Sequence, residues 1–578
     1  MNKRITNLLA SIVVLVSMMS GCEKFSETDH DNGVQEDPAD YSWDTSAVVR
    51  ITLNGSSISC EPKVASINGS ILTISSSGTY DISGSLTNGQ IIVNSKGDAN
   101  VRLILDGVNI KCSDNAPIYI KNAKKAIIIL KENTNNILSD GTNYNIQNSE
   151  PNAALFSNSY LTISGEGSLT VNANCNDGIS TDDGLLIKSG NITVTAKDDG
   201  IRGKDYVKID NGNISVTSSG DGIKSDNTSD ISKGWISIEY GIFNIVSEGD
   251  ALDAETSVEI NDGIFNLTVG GGSAGTSAGT GGGFPGAPGS GGSGGYTGAI
   301  SAKGIKCATD LKIKSGTFVI NSADDALHSN ANITINGGNF SLSTKDDGIH
   351  AETSVIINEG DINISKSYEA IESASITVNK GNVILNATND GFNATNGSGG
   401  EFNDGSILQI NGGNIAVSVT SGDGLDSNGN IEMTGGTVIV HGPQSAPEVA
   451  FDFNGTFSIS GGILVAGGPN SGNMIEVPGQ SSSQFCIKAT STAVIASSTL
   501  FHIEDTQGNE VLTFRPVRNT YYFVFSSPEL KNGSTYKIYT GGTTDGTNNN
   551  GYYTGGTYSG GVLKKTFTIS SKISSISF

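Results

Sequence analysis

The triplet Asp199-Gly200-Ile201 has relatives throughout the middle of this chain, and they return at a near-constant interval. Aligned on that triplet, the first positions are Asp177, Asp199, Asp221, Asp250, Lys303, Asp325, Asp347, Glu369, Asp390, Asp423 and Val449, most often 22 residues apart. A second glycine series (Gly190, Gly212, Gly241, Gly263, Gly316, Gly338, Gly360, Gly381, Gly413, Gly436, Gly462) follows the first by 13 residues in most units. Two turn signals at a fixed offset, with short alternating runs such as "VKID" and "NISVTS" between them, describe one coil of a parallel β-solenoid. In such a coil Ile201 points into the core, Arg202 out and Gly203 in, and equivalent residues of successive coils stack roughly 4.8 Å apart.

Segments before the clear repeat, such as "GTYDISGSL", "NVRLILDGVNI" and "AIIILKENTNNIL", carry the same alternation with looser punctuation. The expected fold is therefore all-β: a solenoid of on the order of 15 coils over residues 46–480, roughly 70 Å long. An aromatic-rich segment, 481–578, is expected to form a β-rich C-terminal cap, since a solenoid end must be covered. Composition agrees, with 76 Gly against 12 Pro and only 6% aromatic residues. Three spacings are long. "NTSDISKGW" (227–235) and "TNGSGGEFND" (395–404) both fall between a triplet and its following glycine, so they should emerge from one side of the rod. The glycine-rich run 270–298 reads as a flexible loop on another corner.

The chain opens with Lys3 and Arg4, an apolar run from Leu8 to Val16, and Ser20-Gly21-Cys22. That is a signal peptide over 1–22 whose end resembles a bacterial lipobox, making Cys22 a lipidation site and the protein a membrane-anchored lipoprotein of the outer membrane or cell surface. Residues 23–45 are acidic and polar and read as a flexible tether. Five further cysteines, with no CxxC pair, indicate neither a disulfide framework nor a zinc site. The formal charge of −24 argues against nucleic acid as a partner. It favours cations, or polymers reached through cations.

Carboxylates stacked about 5 Å apart repel by roughly 3 kcal/mol per neighbouring pair at an effective dielectric near 20. Each Asp can cap its own turn by accepting backbone N–H bonds. Several units also carry a second acid nearby, as in Asp198 with Asp199 and Asp250 with Asp253, and clustered oxygen ligands without cysteine suit calcium. Three positions after each acid runs a second outward row: Ser180, Arg202, Lys224, Asp253, Lys306, His328, His350, Glu372, Asn393 and Asp426. Its basic members either pair with the acids or, as Arg202, Lys224 and Lys306, help calcium hold an acidic polysaccharide. Stacked His328 and His350 read as neutral surface imidazoles or as ligands of a transition metal. Trp235, at the end of a wall-forming insertion, is the candidate for stacking on a sugar ring, ahead of Tyr206 and Tyr240.

The stretches "GTYDISGSLTNGQIIV", "VRLILDGVNI", "LTISGEGSLTVNANCNDGISTDDGLLIKSGNITVTAKDDGIRGKD", "SGDGIKSDN" and "TFRPVRNTYYFVFSSPELKNGSTYKIYTGG" resemble the bacterial carbohydrate-binding parallel β-helix proteins, associated with cellulose and polygalacturonate. The resemblance implies a right-handed parallel β-helix of pectate-lyase-like shape, calcium, and binding of plant-type polysaccharide. It places the metal role on Asp177, Asp198, Asp199 and Asp221, and extends it to Asp250 and Asp253. Lys303 and Val449 interrupt the acid row. Three functions then stand side by side: a monomeric, surface-anchored module that captures polysaccharide; a calcium-dependent lyase acting by β-elimination, with Lys224 or Lys204 as the base and Arg202 nearby; or a structural or adhesive rod.

Overall fold

A computed structural model of the protein describes residues 33–61, 65–97, 99–144, 150–274, 301–397, 400 and 402–578. The signal peptide, Cys22, the first part of the tether (23–32) and residues 275–298 of the glycine-rich loop lie outside the described residues. Gln35–Phe578 forms one compact unit, and the account below is of that unit.

It is all-β, with no α-helix and three short 3-10 helices among the described residues, and most strands belong to one large, mainly parallel sheet. Each central repeat supplies three strands, for example Ile201–Gly203, Tyr206–Ile209 and Asn213–Ser218. Each pairs in parallel with its equivalents on either side: Ile201 with Ile179 and Ile223, Val207 with Leu185 and Ile236, Ile214 with Ile192 and Phe243. The 22-residue period is thus also the strand register. Alternation then decides burial, because a strand places successive side chains on opposite faces. Asn191–Ala196 alternates strictly between exposed and buried residues. Inward positions stack like on like: Phe243, Phe265, Phe318 and Phe340 form a column with ring centroids 4.7 Å apart.

The two glycine series have different causes. The second is conformational: Gly190 has φ +138° and Gly338 φ +107°, the half of φ space that L-residues avoid. The triplet glycine is a matter of space, since a Cβ on Gly200 would lie 2.2 Å from Val216 Cγ1 and 2.6 Å from the Gly222 carbonyl oxygen. The insertion at 227–235 joins Ile223–Ser225 to Trp235–Ile238, and that at 395–404 joins Phe392–Ala394 to Ile407–Ile410, so both occupy the same connection of the repeat.

Both ends of the parallel sheet are covered. Val49–Gly55 pairs in parallel with Gly78–Leu86 and antiparallel with Ile58–Glu61. At the other end Thr520–Ser526 runs antiparallel along Ile463–Gly468, and a separate six-stranded antiparallel sheet occupies much of 501–568. Residues 35–45, expected as part of a flexible tether, instead carry one 3-10 helix, Pro38–Tyr41, and the start of a second, Thr45–Ala47. Asp40 is fully buried in an ion pair with Lys125 and accepts from Asn100 at 2.6 Å, while Arg102 donates to the carbonyls of Ala39 and Asp40. All five described cysteines are free.

Candidate functional site

The acid row lies at the bend that leads into the first strand of each repeat, and its carboxylates are buried. One oxygen of each has a common partner. Asp199 Oδ1 accepts the N–H of Asp221 at 2.8 Å, Asp221 that of Asp250 at 2.7 Å, Asp250 that of Lys303 at 2.7 Å, Asp325 that of Asp347 at 3.0 Å, and Asp390 that of Asp423 at 2.6 Å. The expectation that each Asp caps its own turn is therefore corrected: it caps the turn of the next repeat, whose N–H points back along the row. At Lys303 the carboxylate is missing, and Asp324 takes over by accepting from the N–H of Asp325 at 3.0 Å. A buried backbone N–H needs such a partner, which explains the row before any ligand is considered.

The other oxygen faces the second row. Register pairing places Ser180, Arg202, Lys224, Asp253, Lys306, His328, His350, Glu372, Asn393 and Asp426 side by side on consecutive strands. Lys224 Nζ is 2.5 Å from Asp221, 3.7 Å from Asp199 and 3.8 Å from Asp253. Lys306 Nζ is 3.1 Å from Asp250 and 3.2 Å from Asp253, and Arg202 Nε is 2.9 Å from Asp226. The three bases expected to line a polymer groove are thus committed to the protein's own acids. Burial opposes the charge of Lys224, but Asp221 and Asp199 outweigh it and hold the ammonium above the ordinary lysine range. A lyase base must be neutral to accept a proton, so Lys224 is poorly suited to that role. Lys204, the alternative base, is partly exposed at the bend just after the strand that carries Arg202.

The six acids expected to bind metal divide into two triads, Asp177-Asp198-Asp199 and Asp221-Asp250-Asp253, each with carboxylate oxygens within 4.8 Å of one another. They differ in what neutralises them. Lys224 and Lys306 reach into the second triad and stand where a cation would. In the first, Arg202 is hydrogen-bonded to Asp226 and acts on Asp177 through space without an ion pair, and Lys224 touches the edge through Asp199. Burial, with Asp199 and Asp198 beside it, pushes Asp177 up to about 7, and burial pushes Asp199 to about 6 even against Lys224. Asp198 is exposed, so this triad opens to solvent.

Two asparagines absent from the sequence expectation complete it. Asn152 Nδ2 donates to Asp177 Oδ2 and Asn176 Nδ2 to Asp177 Oδ1, both at 3.2 Å. Asn152 Oδ1 is buried with no hydrogen-bond partner. An amide is nearly symmetric in shape, so rotation would present that oxygen to the triad. Three carboxylates and a spare amide oxygen, with no soft ligand, fit a calcium ion. The signal for Asn152 in the sequence is weak, because it lies outside the aligned triplets.

Trp235 does not fit the sugar-stacking role expected of it. It is 5% exposed, and its ring lies parallel to that of Tyr206, with centroids 4.8 Å apart. Tyr160 extends the stack, and the N–H of Gln35 covers the Tyr206 hydroxyl at 3.0 Å. A wall-forming insertion ends at Trp235, but the strand that begins there turns the ring against its in-register neighbour.

Residues 68–348 match the family described as carbohydrate-binding domain-containing protein. A protein of that description from Acetivibrio thermocellus is 45% identical over 126 residues, 21% of this chain and 44% of that relative's length. The chain therefore spans less than half of that relative. A solved structure described as a polysaccharide lyase-like protein from C. thermocellum, in a gadolinium derivative, is 39% identical, covering 39% of this chain and 92% of its own, with a TM-score of 0.38. The segment that carries both carboxylate triads thus matches the carbohydrate-binding domain family.

Proposed function

We propose that this protein is a surface-anchored lipoprotein, lipidated at Cys22, that captures polysaccharide on a right-handed parallel β-helix of about 15 coils, with calcium at Asp177, Asp198 and Asp199. The observation that carries the reading is the contrast between the two triads: the same acid pattern is neutralised by lysines at Asp221-Asp250-Asp253 and left short of positive charge at Asp177-Asp198-Asp199. When bound, calcium supplies the positive charge that lets an acidic polymer approach an acidic row. Asp177 and Asp199 would hold the ion from the buried side, and Asp198 and Asn152 would complete its shell. An acidic plant-type chain such as polygalacturonate is the preferred ligand, and cellulose is the neutral alternative. The match of residues 68–348 to the carbohydrate-binding domain family supports a polysaccharide partner.

The test is depletion of the Gln35–Phe578 body by insoluble polygalacturonate, in calcium and again in excess chelator. Binding in calcium that chelator abolishes, and that Asp198→Asn weakens at least about tenfold, is the expected result. Binding that ignores chelator would leave the row with turn capping alone. The same samples report on a lyase: a rise in absorbance from unsaturated uronate would favour elimination, and none is expected with Lys224 held as an ammonium.

A further inference from the structure

Beyond Lys306 the second row changes character. Its next members are His328 and His350, and no lysine or arginine occupies the row between them and its end at Asp426. The two imidazoles stand on adjacent strands in register, with ring centroids 5.0 Å apart. Their nitrogens face oxygen acceptors. His328 Nδ1 is 2.8 Å from Asp325 Oδ2, and its Nε2 is 2.9 Å from Asn330 Oδ1. His350 Nδ1 is 3.2 Å from Asp347 Oδ2 and 3.6 Å from Glu372 Oε2, and its Nε2 is 3.8 Å from Glu352. A neutral imidazole carries one N–H, which suffices for the Nδ1 contact of each ring once the Asn330 amide turns its NH2 toward His328 Nε2. Each Nδ1 can keep that proton for its carboxylate, or give it up to a metal ion that takes the proton's place between them.

The geometry suits the second option. Asp325, His328 and His350 offer donor atoms within 4.8 Å of one another, and Asp347, His350 and Glu372 form a second such group that shares His350. Bonds of about 2.0–2.2 Å from nitrogen and carboxylate oxygen to a zinc-type ion require only a small contraction of such a group. The backbone already holds the ligands, because Asp347 N–H is fixed by Asp325 Oδ1 at 3.0 Å and Glu369 N–H by Asp347 Oδ1 at 3.1 Å. The donor set also differs from the calcium triad. Two imidazoles select a borderline-soft divalent ion over a hard one.

We propose that His328 and His350, with Asp325, Asp347 and Glu372, bind a divalent transition metal ion of the zinc class. This site lies further along the row than Asp177-Asp198-Asp199 and does not depend on polysaccharide binding. Its test is a titration of chelator-treated, desalted protein with cobalt(II), read by ligand-field absorbance, and with zinc, read by calorimetry, both in saturating calcium. One equivalent bound in the presence of calcium, with His328→Gln and His350→Gln each weakening it at least about tenfold, is the expected result. Should either variant fail to fold, the other decides, since both rings are partly exposed. Absence of any cobalt spectrum, displacement of zinc by calcium, or unchanged zinc affinity in folded His328→Gln would overturn the proposal.

Discussion

Asp199 uses its two oxygens for different tasks. Oδ1 accepts the Asp221 N–H at 2.8 Å, while Oδ2 faces Lys224 at 3.7 Å. Asn retains an acceptor for the first task and loses the charge for the second, whereas Ala removes both. Asp199→Ala is therefore expected to cost about 1–3 kcal/mol through the orphaned N–H, and Asp199→Asn clearly less, measured by denaturant unfolding. Protonation offers a second handle. Asp177, pushed up to about 7, and Asp423, pushed by burial to about 7, sit above their unfolded range near 4. The folded state then holds more protons than the unfolded one between those values, so stability is fully present at low pH and lost as pH rises through 7. In chelator the melting temperature should rise as pH falls from about 8 to 6.5, and calcium should flatten that slope by replacing protons at Asp177. Below about 6.5 the rise should level off, because burial holds His441 and His502 near 4 in the fold, and the protons they take up in the unfolded chain offset those held by the two carboxyls.

At the scale of the element, each short strand is stabilised by what stacks above and below it rather than by its own length. Ile201–Gly203 has only three residues, yet it is paired on both edges and contributes Ile201 to a continuous core. Close approach is the condition for this, and Gly200 shows it. Gly200→Ala is expected to destabilise by about 1–3 kcal/mol, because Val216 and the Gly222 carbonyl leave no room for a methyl. The aromatic stack of Tyr160, Tyr206 and Trp235 is the corresponding feature of the second strand. Trp235→Ala should cost about 3–5 kcal/mol by opening a cavity. Its polysaccharide depletion, measured well below the new melting temperature, should match that of the wild type. A loss of binding with stability unchanged would restore Trp235 as a sugar platform.

At the scale of the whole molecule, a parallel sheet of this length is safe only if its ends are closed. Thr520–Ser526 pairs along the last repeat strand, Ile463–Gly468, and Cys486–Ile495 pairs with Thr520–Ser526 in turn. Truncation after residue 480 would leave that final strand with unpaired N–H and C=O groups and an uncovered core, a template for association with another copy. Concentration-dependent light scattering of the truncated chain, absent from the full one, is the expected outcome. A formal charge of −24 opposes such association between copies of the full chain.

The sequence by itself determined the all-β class, the 22-residue register, the inward positions and the two outward rows. It could do so because parallel strands stack equivalent residues, so a spatial neighbour is also the residue one period away. Ile179, Ile201 and Ile223 are neighbours in space and in the aligned repeats for the same reason. Only the tertiary structure decided which charges in those rows neutralise one another. Whether Lys224 reaches Asp221 or a ligand depends on side-chain direction and burial, which no period encodes. The same holds for Asn152, which joins the Asp177 triad from outside the aligned triplets, for Trp235, whose ring lies flat on Tyr206, and for residues 35–45, whose acidic composition resembles a tether until Asp40 meets the buried Lys125. Local composition reports a residue's preference for water, while a buried ion pair depends on a partner far away in the chain, brought within contact only by folding.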